Sequence, residues 1–202
     1  MVTFTAIVLV TVAALPVAVT TVWALARRRK ARGVEYAVRL SLAEVAIVYG
    51  TVPWVWMILL PGHRAGAATG RVSLVPLHDL SKIIAVGPPP LAARQIIGNL
   101  LVFAALGFFG PIRFRALASV WRVLALAAAL SILVEVAQYA FRLDRVSSVD
   151  DVLLNATGAA LAALAARPWR PHPSPPALSS QSPREPGAVQ GYGVPGRTRP
   201  DS

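Results

Sequence analysis

The chain has 202 residues, 55% of them hydrophobic and only 14% charged, which is too apolar for an ordinary soluble domain. The absence of cysteine excludes disulfides, thiolate metal sites and thiol nucleophiles. The net charge of +11 comes from Lys and Arg beside apolar runs and in a Pro-rich tail, a distribution that excludes nucleic acid and makes the lipid bilayer the expected partner.

Residues 2–26 carry no charge and can cross about 30 Å of hydrocarbon. Ala24-Leu25-Ala26 has the form of a signal-peptidase site. The basic block Arg27-Arg28-Arg29-Lys30 follows this run instead of preceding it, so an uncleaved first helix with its N-terminus outside is expected. A second span covers about 37–60, with Glu44 expected to pair with a neighbouring helix and Trp54 and Trp56 towards the outer end. Residues 61–94 read as a polar outer loop, closed by Pro88-Pro89-Pro90 in an extended stretch. The third span is about 95–112 and carries Asn99; the fourth, 120–141, carries Ser131, Glu135 and Gln138. After the short segment "RLDRVSSVDD" a fifth span covers 151–166, whose apolar part reaches only about 22 Å. On it Gly158, Ala162 and Ala166 recur at every fourth position, a stripe that lets another helix approach closely.

The sequence therefore predicts an all-α polytopic membrane bundle of about five transmembrane helices. Residues 1–36 hold the first helix and a basic inner loop, 37–167 the membrane domain, and 168–202 a disordered cytoplasmic tail rich in Pro and Arg. Arg27, Arg28, Arg29, Lys30, Arg32, Arg39, Arg113, Arg115, Arg122, Arg167 and Arg170 fall on the inner side. Only Arg64, Arg71, Lys82, Arg94, Arg142 and Arg145 fall on the outer side, which puts the protein in the plasma membrane with its C-terminus cytoplasmic.

That orientation places polar side chains from three helices in one outer-leaflet slab. Asn99 lies about 7 Å below the rim, Glu135 about 10 Å with Gln138 shallower, and Asn155 about 6 Å. Ser131, Glu135 and Gln138 share one face of the fourth helix, and Asp151, Asn155 and Gly158 one face of the fifth. A carboxylate in lipid is costly unless it faces a partner, so Glu135 is expected to meet Asn155 and Arg145, with Asp150 and Asp151 beside them.

The segments "GNLLVFAALGFFGPI" and "SILVEVAQYAFRLDRVSSVDDVLLNATGAALAA" resemble the VanZ-like family. The matching positions are Asn99, Phe103 and Gly107, then Glu135 and Gln138, then Arg145, Asp150 and Asp151, then Asn155 and Gly158, within about 70–166. The family's earlier loop element stands here as "SLVPLHDL", with Ser73 and Leu77 in place of its polar and aromatic residues. The resemblance implies a cell-envelope protein connected with teicoplanin-type glycopeptide resistance, and it supplies no catalytic mechanism and no cofactor.

Three functions remain open at this point. An accessory protein would use Asn99, Glu135, Gln138, Arg145, Asp150, Asp151 and Asn155 to hold a lipid-linked wall precursor or a lipoglycopeptide. A hydrolase or transferase would use Glu135 with Asp150 and Asp151 as acid and base, or a divalent cation among them. However, there is no Ser-His pair and no H-E-x-x-H, and His63, His78 and His172 are isolated, so no metal site is predicted. The third is a transporter or a purely structural bundle, and secondary transport lacks its signature, an inverted repeat with broken helices.

Overall fold

The structure is a computed structural model that describes residues 4–61, 65, 71–143 and 146–170. Arg145 and the tail beyond Arg170 lie outside the described residues.

The chain forms a helical membrane bundle. Helices α1 (Phe4–Ala13) and α2 (Leu15–Ala31) follow one another as a single rod, because Ala14 N–H and Ala18 N–H keep the ladder across the junction at 2.9 and 3.0 Å. Pro16 sits in the first turn of α2, where its missing N–H costs little. Then come α3 (Ala37–Ile58), α4 (His78–Val86), α5 (Pro89–Val102), α6 (Ala104–Arg113), α7 (Val120–Ala140) and α8 (Val149–Ala165). Among the described residues, four stretches are long and apolar enough to cross a membrane: Thr5–Ala31, Ala37–Ile58, Pro89–Arg113 and Val120–Ala140.

Two expectations need correction. Within 61–94 the chain is not merely a loop: it contains strand β1 (Arg71–Ser73) and α4, and β1 pairs in parallel with β2 (Val146–Ser148). The three prolines do not hold an extended stretch either, since Pro89 and Pro90 open α5. Proline is accommodated there because the first helical N–H groups have no intrahelical acceptor.

Helix α8 has 17 residues, about 25 Å by helical rise, short of a full hydrocarbon crossing. Its position explains how so short a helix is stable. Asp150, Asn155, Ala156, Gly158, Ala159, Ala160 and Ala163 are buried, and only Leu153, Thr157, Leu161, Leu164 and the terminal Ala165 face outward. The core is formed by Val102, Phe103, Leu106, Val123, Ala127, Ala159 and Ala163, from α5 to α8, with Ile47, Trp54, Val55 and Ile58 of α3 packed against it.

Small residues set the spacing. A Cβ on Gly158 would lie 2.0 Å from the Leu100 carbonyl oxygen on α5, and one on Gly107 would lie 2.2 Å from the Ala159 oxygen on α8. Ala166 is fully buried with Ala43 and Ile112, while Ala162 is half-buried.

Charge is held at one end. Arg29 Nη2 and Arg113 Nε each donate to Glu44, at 2.5 Å to Oε2 and Oε1, and Arg29 Nη1 donates to the buried Ser41 Oγ at 2.7 Å. This clamp ties the end of α2 to the start of α3 and the end of α6, and it supplies the partner expected for Glu44. The two short strands, α4 and the start of α8 lie at the opposite end.

Candidate functional site

At that opposite end α5 and α8 present amides and carboxylates to one another. Asn99 and Gln95 are four residues apart on α5, hence on one face. Asn99 Nδ2 donates to Asp151 Oδ1 at 2.5 Å and Gln95 Nε2 to the same oxygen at 3.0 Å. Asp151 Oδ2 accepts no hydrogen bond among the described residues. Asp79, Leu80, Ile83, Gln95, Asp150, Asp151 and Leu154 line a recess of about 60 Å³ between α4, α5 and α8. That volume suits one or two waters, or a single polar group of a larger molecule.

Asp150, 3% exposed, has a structural task. Its Oδ2 accepts from Leu80 N–H at 2.9 Å and its Oδ1 from Leu77 N–H, so one carboxylate caps the first turn of α4 from another helix. Ser148 caps α8 through its Oγ, which accepts from Asp150 N–H at 3.3 Å and donates to Asp79 Oδ2 at 2.7 Å. The hydroxyls of Ser73 and Ser148 hold the Asp79 carboxyl below the ordinary aspartate range. A depressed carboxylate contributes stability that is present above its unfolded pKa and lost as pH falls through the folded one. Amide-exchange protection of α4 is therefore expected to be flat between pH 7 and 5 and to fall below about pH 3.9. Equal protection of α4 down to pH 2 would remove Asp79 from this role.

The other residues singled out in the sequence separate into distinct sites. Gln138 Nε2 donates to the Ile58 carbonyl at 2.9 Å and so caps the end of α3. Glu135 Oε2 accepts from Ser148 N–H at 3.1 Å, and its backbone oxygen accepts from Ser147 Oγ at 3.0 Å, which fastens β2 to α7. Asn155 does not meet Glu135. Its Nδ2 donates to Ser131 Oγ at 2.7 Å in a fully buried pair, one turn earlier on α7. Glu135→Leu removes the acceptor of a buried backbone N–H and is expected to destabilise by about 1–3 kcal/mol in detergent melting. An unchanged or raised melting temperature would show that this cap is dispensable.

Sequence reasoning missed Gln95 and Asp79. The first had a signal, its spacing of four from Asn99. Asp79 lies in a segment where neither periodicity nor the family pattern marks it. Among the described residues no group of three or more His, Cys, Asp or Glu is arranged to hold a metal ion.

The VanZ/LLP1 family model matches residues 47–170, a range that runs from α3 through α8 and contains every residue of the recess. No curated protein and no solved structure matches the chain. With its apolar membrane-length helices and a family match over most of its length, the chain is a membrane protein that belongs to the VanZ/LLP1 family.

Proposed function

We propose that this protein is a cell-envelope accessory protein that binds a donor group, hydroxyl or amine, of a lipid-linked wall precursor or a lipoglycopeptide, and so contributes to teicoplanin-type glycopeptide tolerance. The observation that carries this reading is Asp151. One oxygen is fixed by Asn99 and Gln95 while the other is left without a protein donor among the described residues, beside a small recess that Asp79 and Asp150 also line. Carboxylates and amide oxygens there suit ligands that donate hydrogen bonds, and a recess of this size reads one functional group and leaves the rest of the ligand outside.

In this reading α8 is a fifth span, the N-terminus is outside, and the recess opens to the outer leaflet. The arginine and lysine bias towards the Glu44 end supports that orientation. Asp151→Asn keeps the shape of the recess and changes its acceptor character. Cells expressing wild type or Asp151→Asn at matched membrane levels are compared for teicoplanin susceptibility, and the variant is expected to lose the tolerance wild type confers. Equal tolerance from both sinks the proposal.

A hydrolase or transferase acting on a lipid-linked substrate has one observation in its favour, that Asp79 and Asp151 line the same recess. Product formed from a lipid-linked precursor by wild type but not by Asp79→Asn or Asp151→Asn would select it over simple binding.

A further inference from the structure

The basic end of the bundle holds more guanidinium than its acids use. Among the described residues only Glu35 and Glu44 lie there as acids, and both oxygens of Glu44 are taken by Arg29 and Arg113. Arg39, in the first turn of α3, makes no hydrogen bond or ion pair among the described residues, and its Nε is buried without a partner. Arg170, just beyond α8, donates from Nη1 to the Ala118 carbonyl and from Nη2 to the Ala163 carbonyl at 3.1 Å, and its Nε is likewise buried and unpartnered.

The first of these arginines borders an apolar seam. Ala43, Ile112 and Ala166 pack together where α3, α6 and α8 converge. Arg39 precedes Ala43 by four residues and Arg170 follows Ala166 by four. The two helices run in opposite directions, since α3 starts and α8 ends at this contact. Arg39 therefore lies one helical turn outward of the apolar seam, whereas the Arg170 guanidinium folds back to the Ala163 carbonyl. Buried guanidinium N–H groups without acceptors are costly, and an anion with several oxygens at this level relieves that cost. Arginine forks match phosphate oxygens in particular.

We infer that the seam between α3, α6 and α8 at the basic end binds the phosphate of an anionic phospholipid from the surrounding leaflet, with Arg39 as its ligand. The lipid would close the apolar contact below it and neutralise the excess charge above.

The test uses the full chain purified in detergent and returned to phosphatidylcholine nanodiscs, with phosphatidylglycerol added in steps. Retained lipid is read by native mass spectrometry and stability by melting temperature. Wild type is expected to retain phosphatidylglycerol over phosphatidylcholine and to melt higher as it is added. Arg39→Gln is expected to lower that preference about fivefold, the effect of one cation at a membrane surface. Lys82→Gln, which removes the same charge from exposed α4 at the other end, is expected to leave it unchanged. Three results overturn the proposal: no preference in wild type, a wild-type preference in Arg39→Gln, or the same stabilisation from inorganic phosphate alone, which assigns the seam to a free anion. The wild-type competition decides the matter even where Arg39→Gln does not fold.

Discussion

Gly158→Ala is expected to lower the stability of the bundle by about 3 kcal/mol or more, the upper range for overpacking. The added methyl would stand 2.0 Å from the Leu100 oxygen and 2.6 Å from its carbonyl carbon. Both atoms are backbone within a helix, so α5 and α8 must move apart as whole elements. That movement stretches the Asn99 and Gln95 bonds to Asp151, because they cross the same interface. Gly107→Ala meets the Ala159 backbone at 2.2 Å and belongs to the same class. Gly98 provides the control. A Cβ added there would have nothing within 4 Å, and alanine is expected to be neutral or to stabilise by about 0.5–1 kcal/mol through helix propensity. Melting temperatures of the three variants in one detergent check the ranking, and a Gly158→Ala protein as stable as Gly98→Ala would show that the helices are not in close contact.

Asp150→Ala is expected to release α4 and β1 from the bundle while the membrane-length helices stay folded. It leaves the Leu77 and Leu80 N–H groups without their acceptor, a loss of about 3–6 kcal/mol for two bonds to a charged group. Leu77 also stands at φ 62°, a left-handed conformation that costs a residue with a side chain about 1–2 kcal/mol and is sustained here by the cap. Hydrogen exchange should show loss of protection across 77–86 with little change in α7. Asp150→Asn keeps one acceptor and is expected to fall between. Unchanged protection in the alanine variant would mean that the strand pairing and the Asp79–Ser148 bond suffice to hold α4.

Much of the bundle could be read from the sequence because long uncharged runs admit few other structures. The ends of α3 and α7 fall within two residues of where the apolar runs stop. The pairing of Asn99 with Asp151 joins two polar residues singled out in the sequence, although the depths inferred there put Asn99 about 7 Å below the rim and Asp151 at the rim itself. What escaped was set by contacts between distant segments. Nothing local in "SLVPLHDL" marks a strand and a capped helix, because β1 exists through β2 and α4 through Asp150. Glu135, Gln138 and Asn155 share a depth range but not a partner: Glu135 and Gln138 bond to backbone groups of Ser148 and Ile58, and Asn155 pairs with Ser131. Polarity in an apolar run identified residues that need partners, but it could not tell backbone partners from ligands.

The pairing of β1 with β2 also has a temporal side. Arg71 meets Val146, 75 positions later in the chain (146 − 71), and the membrane-length stretches Pro89–Arg113 and Val120–Ala140 are both synthesised between them. Contacts of such long sequence separation form late, because the intervening chain must be closed before they repay their entropy. As the polypeptide emerges from the ribosome, Asp79 and Gln95 are in place long before Asp150 and Asp151 exist. The recess is therefore among the last parts of the protein to be completed, and a chain arrested before residue 151 presents half of its walls to the membrane surface with nothing yet to bind.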